Sequence, residues 1–590
     1  MNHPGPITGL ETYEDTKRYH VSPRARVRRR LSNICDFSMI LSETRFLDVE
    51  GLKILLRALA DVINGATVRD QSFGRVGNGI GVGGGPVDIA VVLSPASEAL
   101  AEVWLCEITI KNRDRIGKLW NAILKEHYHS RLSAGLHQTS VLTSSPSPLP
   151  LVPANQPVIT RIPGMEKCIT GLLRICFHSV HRKDVNNEVL ESLQLLCSDG
   201  CRVGQGDSNG QTQLNFDKHV SEGLWRICRD VDGLRLIGNS GWDGLLTVIQ
   251  HCASKGDKLI IRDGEKSGTL LDDDPALQAF RCLHLMLRSN ELRDVVPFRI
   301  VHCIRALIAG GEHNRCPKLS IAGLDLLSLL HARLQALISL STEKNNVDDV
   351  MFWAKCWFHI VEGMAEASNS LYPSTRQHSI AMFTDSLVDR HGQDVPMSEL
   401  CKLLKGICVP MAGDRISELI QNQSKLQFDH EEIMIELELC ISAIFKPFLH
   451  YLKRLTSSPD EFIQVWMSML TVLSKLLSQE IVVGGSNSSH HRHHRMLVLP
   501  KQLLRTTKQH LTEHLRNAIM ILMSKGIIIA QDAKIANDDV NNNQASCISA
   551  VLDGKDISSL TWDAIENISY VKPFIQEWKH TGGLGLAENK

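Results

Sequence analysis

No stretch of this 590-residue chain approaches the ~18 uninterrupted apolar residues that an ordinary spanning helix needs. Runs of strict apolar–polar alternation, the signature of half-buried strands, are almost missing. The opening residues MNHPGPITGLETYEDTKRYH lack the apolar core of a secretory signal. An excess of one charge is missing too: 64 Lys and Arg stand against 65 Asp and Glu. That balance excludes a nucleic-acid protein held by a global basic field, and no nucleic-acid partner is expected. The 16 cysteines form no Cys-x-x-Cys, the closest useful pair being Cys197 with Cys201. Paired-cysteine zinc ligation is therefore excluded, and a disulfide framework does not suit a reduced chain. Most cysteines lie inside apolar helical patterns and read as small buried hydrophobes. The chain reads as a cytosolic or peripheral protein.

What is present is helix. Apolar residues make up 43% of the chain and charged residues 22%, enough to bury a sizeable core. At ~150 residues per domain the length suits about four domains or one long repetitive array. From Asp48 to Asn64 the apolar positions Leu52, Leu55, Leu56, Leu59, Val62 and Ile63 form one stripe, and Asn64-Gly65 supplies a stop. Ser94-Pro95 and Asp274-Pro275 read as caps followed by a first-turn proline. The same geometry recurs in Ile116, Leu119, Trp120, Ile123 and Leu124, and in Trp353, Trp357, Ile360, Val361 and Met364. Many such segments cannot surround a single core. The expected fold is all-α, a HEAT/armadillo-like solenoid of stacked helix pairs with flexible Gly/Ser/Pro-rich loops. Exact repeats of the tetratricopeptide type are not visible.

Polar, glycine- or proline-rich interruptions fall at 74–85, 143–157, 200–213, 484–495 and 532–546. They suggest a basic N-terminal segment (1–34) and a first helical region (35–142) followed by a linker (143–160). Two further helical regions (161–310 and 311–480) then lead to a Ser/His-rich loop (481–496) and a C-terminal helical region with a loose tail (497–590).

The conspicuous motifs are weak. Gly79-Ile-Gly81-Val-Gly83-Gly84 contains a formal G-x-G-x-x-G but lacks the strand before it and the helix opening at its last glycine, so it reads as a loop. His490, His491, His493 and His494 form a solvated tip that binds metal adventitiously. The run Arg24, Arg26, Arg28, Arg29 and Arg30 suits either an anionic lipid or acidic partner, or a solvated helix start. No phosphate-binding P-loop, G-x-S-x-G or H-E-x-x-H occurs. No catalytic residue, cofactor or metal site is expected.

At Asn112-Arg113-Asp114-Arg115-Ile116, with Leu119-Trp120 and Ile123 following, the chain resembles the first helical homology region downstream of the exchange domain in large Arf guanine nucleotide exchange factors. Further matches lie in 165–196, around Gly171-Leu172-Leu173-Arg174-Ile175 and Glu188 to Leu193, and in Val220 to Leu224 leading through Trp242 to Leu246. Another joins Ala322 to Leu327 with Trp353, Trp357, Gly363, Arg376, Ile380 and Phe383. Their order resembles the Golgi brefeldin-A-resistance, GNOM-like class more than the trans-Golgi branch, over about residues 35–480 and more loosely to Phe574. One departure is Leu371 to Arg376, where the family usually shows an Asp-x-Arg turn.

The resemblance implies a C-terminal regulatory part, cytoplasmic and peripherally associated with Golgi membranes, in vesicle-mediated transport. It implies as partners an Arf-family GTPase through the parent exchange factor, Golgi lipids or adaptor proteins, and self-association. The family's catalytic glutamate sits in a Phe-Arg-Leu-Pro-Gly-Glu-like loop. The nearest string here, Arg161-Ile-Pro-Gly164-Met-Glu166, has an extra residue before the glutamate, so Glu166 reads as a helix-start carboxylate. The chain is expected to lack the exchange domain and to act by binding, with Arg113, Asp114 and Arg115 and the run Arg24 to Arg30 as contact candidates. Trp120, Trp353 and Trp357 are expected in the core. Replacing Arg113 and Arg115 is expected to leave folding nearly intact. The alternative is a HEAT-like adaptor or scaffold unrelated to Arf.

Overall fold

The computed structural model describes residues 37–63, 95–140, 165–197, 211–255, 274–292, 298–313, 315–343, 347–388, 395–421, 430–479, 493–528, 551–552, 555–576 and 578. Nearly all of them are helical, as the periodicity predicts, and the strand content is one two-residue antiparallel ladder, β1 (Val551–Leu552) with β2 (Lys555–Asp556). None of the described helices is long and apolar enough to cross a membrane. The chain divides into two compact units, one of 1–131 with 153–171, the other of 132–152 with 172–590.

In the first unit, α1 (Phe37–Glu43) and α2 (Val49–Ile63) pack on α3 (Pro95–Lys111). The expected stripe on α2 is the buried one, with Leu52, Leu56, Ala60 and Ile63 inside. Leu55 and Leu59 are half-buried at its edges and Val62 is exposed, because a 3.6-residue turn rotates them away from the seam. A 3-10 turn (Arg113–Arg115) leads into α4 (Ile116–Leu119), one π turn (Trp120–Leu124) and α5 (Lys125–Ser140). Trp120 is fully buried and stacks on Tyr128, ring centroids 6.0 Å apart.

The second unit is a two-layer stack. One layer passes from α7 (Asn186–Glu191) through α9 (Asn239–Ser254) and α11 (Ile300–His313) to α13 (Val347–Ala367). The other passes from α8 (Gln211–Cys228) through α10 (Pro275–Arg288), α12 (Pro317–Glu343) and α14 (Pro373–Val388) to α17 (His430–His450). α6 (Met165–Ser179) precedes α7 in the chain. Consecutive helices pack across the layers and alternate helices pack along them, the arrangement of a helical repeat solenoid. Beyond α14 come α15 (Met397–Leu403), α16 (Val409–Gln421), α18 (Pro459–Ser478), α19 (His493–Ser524) and α20 (Ile557–Glu566).

Local chemistry sets the boundaries. Asp274 caps α10 as expected, its carboxylate accepting from the amides of Ala276 at 2.7 Å and Leu277 at 3.2 Å, with Pro275 at the first position. α19 ends where Gly526 takes a positive φ of 70°, the left-handed stop that glycine permits. Two interruptions end sooner than the composition predicts: Gln211 to Gln213 begin α8, and His493 to Arg495 begin α19. Both segments have polar residues that a helix start tolerates, so composition alone does not locate the boundary. The runs at 74–85, 143–157 and 532–546 lie outside the described residues.

Two glycines set the spacing of the first layer. A Cβ at Gly244 would lie 2.1 Å from the Leu190 carbonyl oxygen, and one at Gly310 would lie 2.2 Å from that of Ala253. Both obstacles are backbone, so neither yields by a rotamer change. Gly310→Ala is expected to push α11 off α9 and to cost about 1–3 kcal/mol, the usual range for overpacking; chemical denaturation of the variant beside Ser254→Ala, an exposed control, measures it.

Of the thirteen described cysteines, none of them in a disulfide, eleven are buried, in line with their reading as hydrophobes. Burial pushes the Cys303 and Cys408 thiols up to about 12, so neither supplies a thiolate at neutral pH.

Candidate functional site

The junction that carries the first family-like motif is a clasp. Asn112 is buried; its side-chain amide donates to Thr44 Oγ1 at 3.0 Å and to the Ile108 carbonyl at 2.9 Å. Arg115 reaches back about seventy positions, donating to the Arg45 carbonyl at 2.6 Å and to that of Leu47, and to Asn112 Oδ1 at 3.1 Å. The guanidinium therefore closes the 3-10 turn of Thr44 to Phe46 against α3. The expectation that Arg115 is dispensable for folding is thereby corrected: its fork is committed to backbone carbonyls that a short side chain cannot reach. Arg115→Ala is expected to cost about 1–2 kcal/mol, the scale of a charged hydrogen bond near the surface, read as a lower melting temperature. Asp114 is largely exposed, 3.5 Å from Arg115 Nε. Arg113 is also exposed. Arg24, Arg26, Arg28, Arg29 and Arg30 lie outside the described residues.

The outer edge of the α9–α11–α13 layer carries a row of cross-helix ion pairs. Asp243 on α9 meets Arg299 just before α11, and Arg305 on α11 bridges Glu362 at 3.1 Å and Glu366, both on α13. Between these pairs the His302 and His359 rings lie 6.4 Å apart. Desolvation, then the Arg305 guanidinium and the His359 ring, hold His302 below the ordinary histidine value, against the opposing pull of Glu362. A lowered folded pKa means that the unfolded chain binds the proton more readily, so this contribution is present above the unfolded pKa and fades as pH falls. Acidifying from about pH 7.5 to about pH 5.5 is expected to lower the melting temperature, and less so in His302→Gln.

In the other layer an ionic triad is sealed inside. Glu436 on α17 accepts a fork from Arg376 on α14, at 2.8 Å from Nε and 2.9 Å from the terminal nitrogen, and a third bond from Arg415 Nε on α16 at 2.5 Å. All three side chains are at most 5% exposed. Arg376 also donates to the carbonyls of Ser370 and Leu371, both at 3.1 Å, and so ties down the loop in which the sequence departs from the family pattern. Arg376 was legible only as a motif residue; its partners lie 60 positions away in one case and in the preceding loop in the other.

A second buried polar group sits in the first unit, where Glu98 and Glu102 on α3 face His127 and Arg131 on α5. Arg131 pairs with Glu98 at 2.7 Å and with Glu102 at 3.4 Å, and His127 Nε2 lies 3.3 Å from Glu102 Oε2. Cys168 on α6 adds its thiol, and a ligand atom from each of Glu102, His127 and Cys168 lies within 4.8 Å of the others. Sequence reading missed this cluster, since only the matched i, i+4 spacings of two polar pairs mark it.

Glu166 lies in the first turn of α6 and is exposed, the helix-start carboxylate that the sequence suggested. Trp357 is buried as expected; the side chain of Trp353 lies outside the described residues.

Residues 357–570 match a family model described as the GBF1-like, tetratrico peptide repeat region. No curated protein and no solved structure matches. The matched span runs from mid-α13 through α20 and holds the buried triad. Its repeat character is hidden in the sequence because successive major helices run to 16, 13, 21, 20 and 32 residues, which leaves no constant period. It is a helical repeat region, and not an exchange domain, that the family describes. Residues 357–570 are thus similar to the GBF1-like tetratrico peptide repeat region, which supports reading the chain as the C-terminal region of a GBF1-type Arf exchange factor.

Proposed function

We propose that the chain is a non-catalytic regulatory and binding region of an Arf-GTPase guanine nucleotide exchange factor, working in ER–Golgi vesicle transport from the cytoplasmic face of Golgi membranes. The observation that carries this reading is the GBF1-like match over residues 357–570. Nucleotide exchange needs a group that competes with the magnesium and phosphate contacts of the GTPase, and the one glutamate set in a comparable string, Glu166, sits on an ordinary helix start. A stacked helical layer instead offers extended surface to a partner. The exposed Arg113 and Asp114 at the family-like junction are the proposed protein contact, and Arg24 to Arg30 the proposed contact to anionic lipid.

Residues 1–590 are expected to leave release of a fluorescent nucleotide from Arf-family GTPases at its spontaneous rate. They are expected to float with anionic vesicles, and less so when Arg24, Arg26, Arg28, Arg29 and Arg30 are all alanine. Exchange activity that survives Glu166→Ala would overturn the non-catalytic reading. Failure to bind either vesicles or the remainder of such an exchange factor would favour an adaptor unrelated to Arf.

A further inference from the structure

We infer that Glu102, His127 and Cys168 form a buried zinc site, clamping α3, α5 and α6 of the first unit together. Three observations converge on it. The donors are one carboxylate oxygen, one imidazole nitrogen and one sulfur, on residues no more than 3% exposed, with their ligand atoms within 4.8 Å of one another. Such a mixed, borderline-soft set suits zinc rather than magnesium or calcium, which take oxygen alone.

The second observation is the carboxylate itself. A buried carboxylate has about four lone-pair sites to fill, yet Glu102 Oε1 has no hydrogen-bond partner. Its contacts to Arg131 Nε at 3.4 Å and His127 Nε2 at 3.3 Å exceed the ~2.7–2.9 Å of charge-assisted bonds. As a hydrogen bond, 3.3 Å is long. As the edge of a tetrahedron it fits: two ligands each ~2.0–2.1 Å from zinc stand about 3.3 Å apart. The Cys168 sulfur lies within 4.8 Å of both other donors and would move inward to complete the third ligand position.

Charge supplies the third. Glu98, Glu102 and a Cys168 thiolate carry three negative charges, and Arg131 with a divalent ion neutralises them. Arg131 holds both glutamates, at 2.7 Å and 3.4 Å, and so orients the ligating carboxylate from outside the metal shell. The π turn Trp120–Leu124 runs directly into α5, which carries His127 and Arg131 opposite Glu98 and Glu102 on α3.

The test uses residues 1–590 with His490, His491, His493 and His494 replaced by alanine, so that the histidine-rich segment contributes no metal. Under reducing conditions, elemental analysis is expected to give about one zinc per chain after dialysis, and cobalt in its place is expected to show a sulfur-to-cobalt charge-transfer band. Cys168→Ser is expected to lose the band and most of the metal. Cys106→Ser, which alters a buried neighbouring thiol bonded to the Gly171 carbonyl, is expected to keep both. Should Cys168→Ser fail to fold, the unmodified Cys168 protein decides: a folded chain without the charge-transfer band overturns the site. Full zinc retention in folded Cys168→Ser overturns it as well.

Discussion

Glu436→Gln is expected to destabilise the chain by about 3–5 kcal/mol, the cost of breaking a buried ion pair at one partner. The substitution keeps volume, so the loss reports charge rather than a cavity. It leaves the Arg376 and Arg415 guanidinia close together in a dry layer, with the half-exposed Glu418 at 2.5 Å from Arg415. Replacing all three residues together, as Arg376→Met, Glu436→Leu and Arg415→Met, is expected to recover most of that loss, because an apolar trio avoids the desolvation that the ions incur. Equilibrium denaturation of single, double and triple variants measures the coupling directly. If the single variant unfolds at the same denaturant concentration as the parent, the triad is not the lock joining α14, α16 and α17.

Trp357→Ala is expected to cost about 3–5 kcal/mol, as large core truncations do. The indole is 1% exposed and its Nε1 donates to the buried His331 Nε2 at 2.9 Å, joining α13 to α12. Two losses therefore combine, packing and a satisfied acceptor. Trp357→Phe separates them: it keeps most of the apolar volume but removes the indole N–H that His331 Nε2 accepts, and is expected to cost about 1–3 kcal/mol. Thermal melts of both variants beside Arg115→Ala rank core, polar bond and clasp. A Trp357→Ala protein that melts with the parent would place the indole outside the core.

The exposed junction and the buried triad show how unevenly functional and structural charge are written into a sequence. Arg113, Asp114 and Arg115 look alike as a polar run, yet Arg115 holds two carbonyls of a turn some seventy residues earlier. Arg376 and Arg415 look like surface residues of amphipathic helices, yet both lie inside, because Glu436 on another helix meets them there. Surface and interior are not properties of a charged residue; they follow from what it pairs with.

By itself the sequence determined the secondary structure and much of the core. Helical stripes, the Asp274-Pro275 cap and the burial of Trp120 and Trp357 are local: a residue's neighbours at three and four positions decide them, and those are readable along the chain. The layer order, the close helix approaches that leave no room for a Cβ at Gly244 and Gly310, the clasp of Arg115, the triad around Glu436 and the Glu102–His127–Cys168 cluster were decided only in three dimensions. Each joins residues on different helices, and nothing in a helical period states which helix will lie opposite. Packing selects those partners, since a buried charge or a close backbone contact is tolerated only where the facing helix supplies its complement.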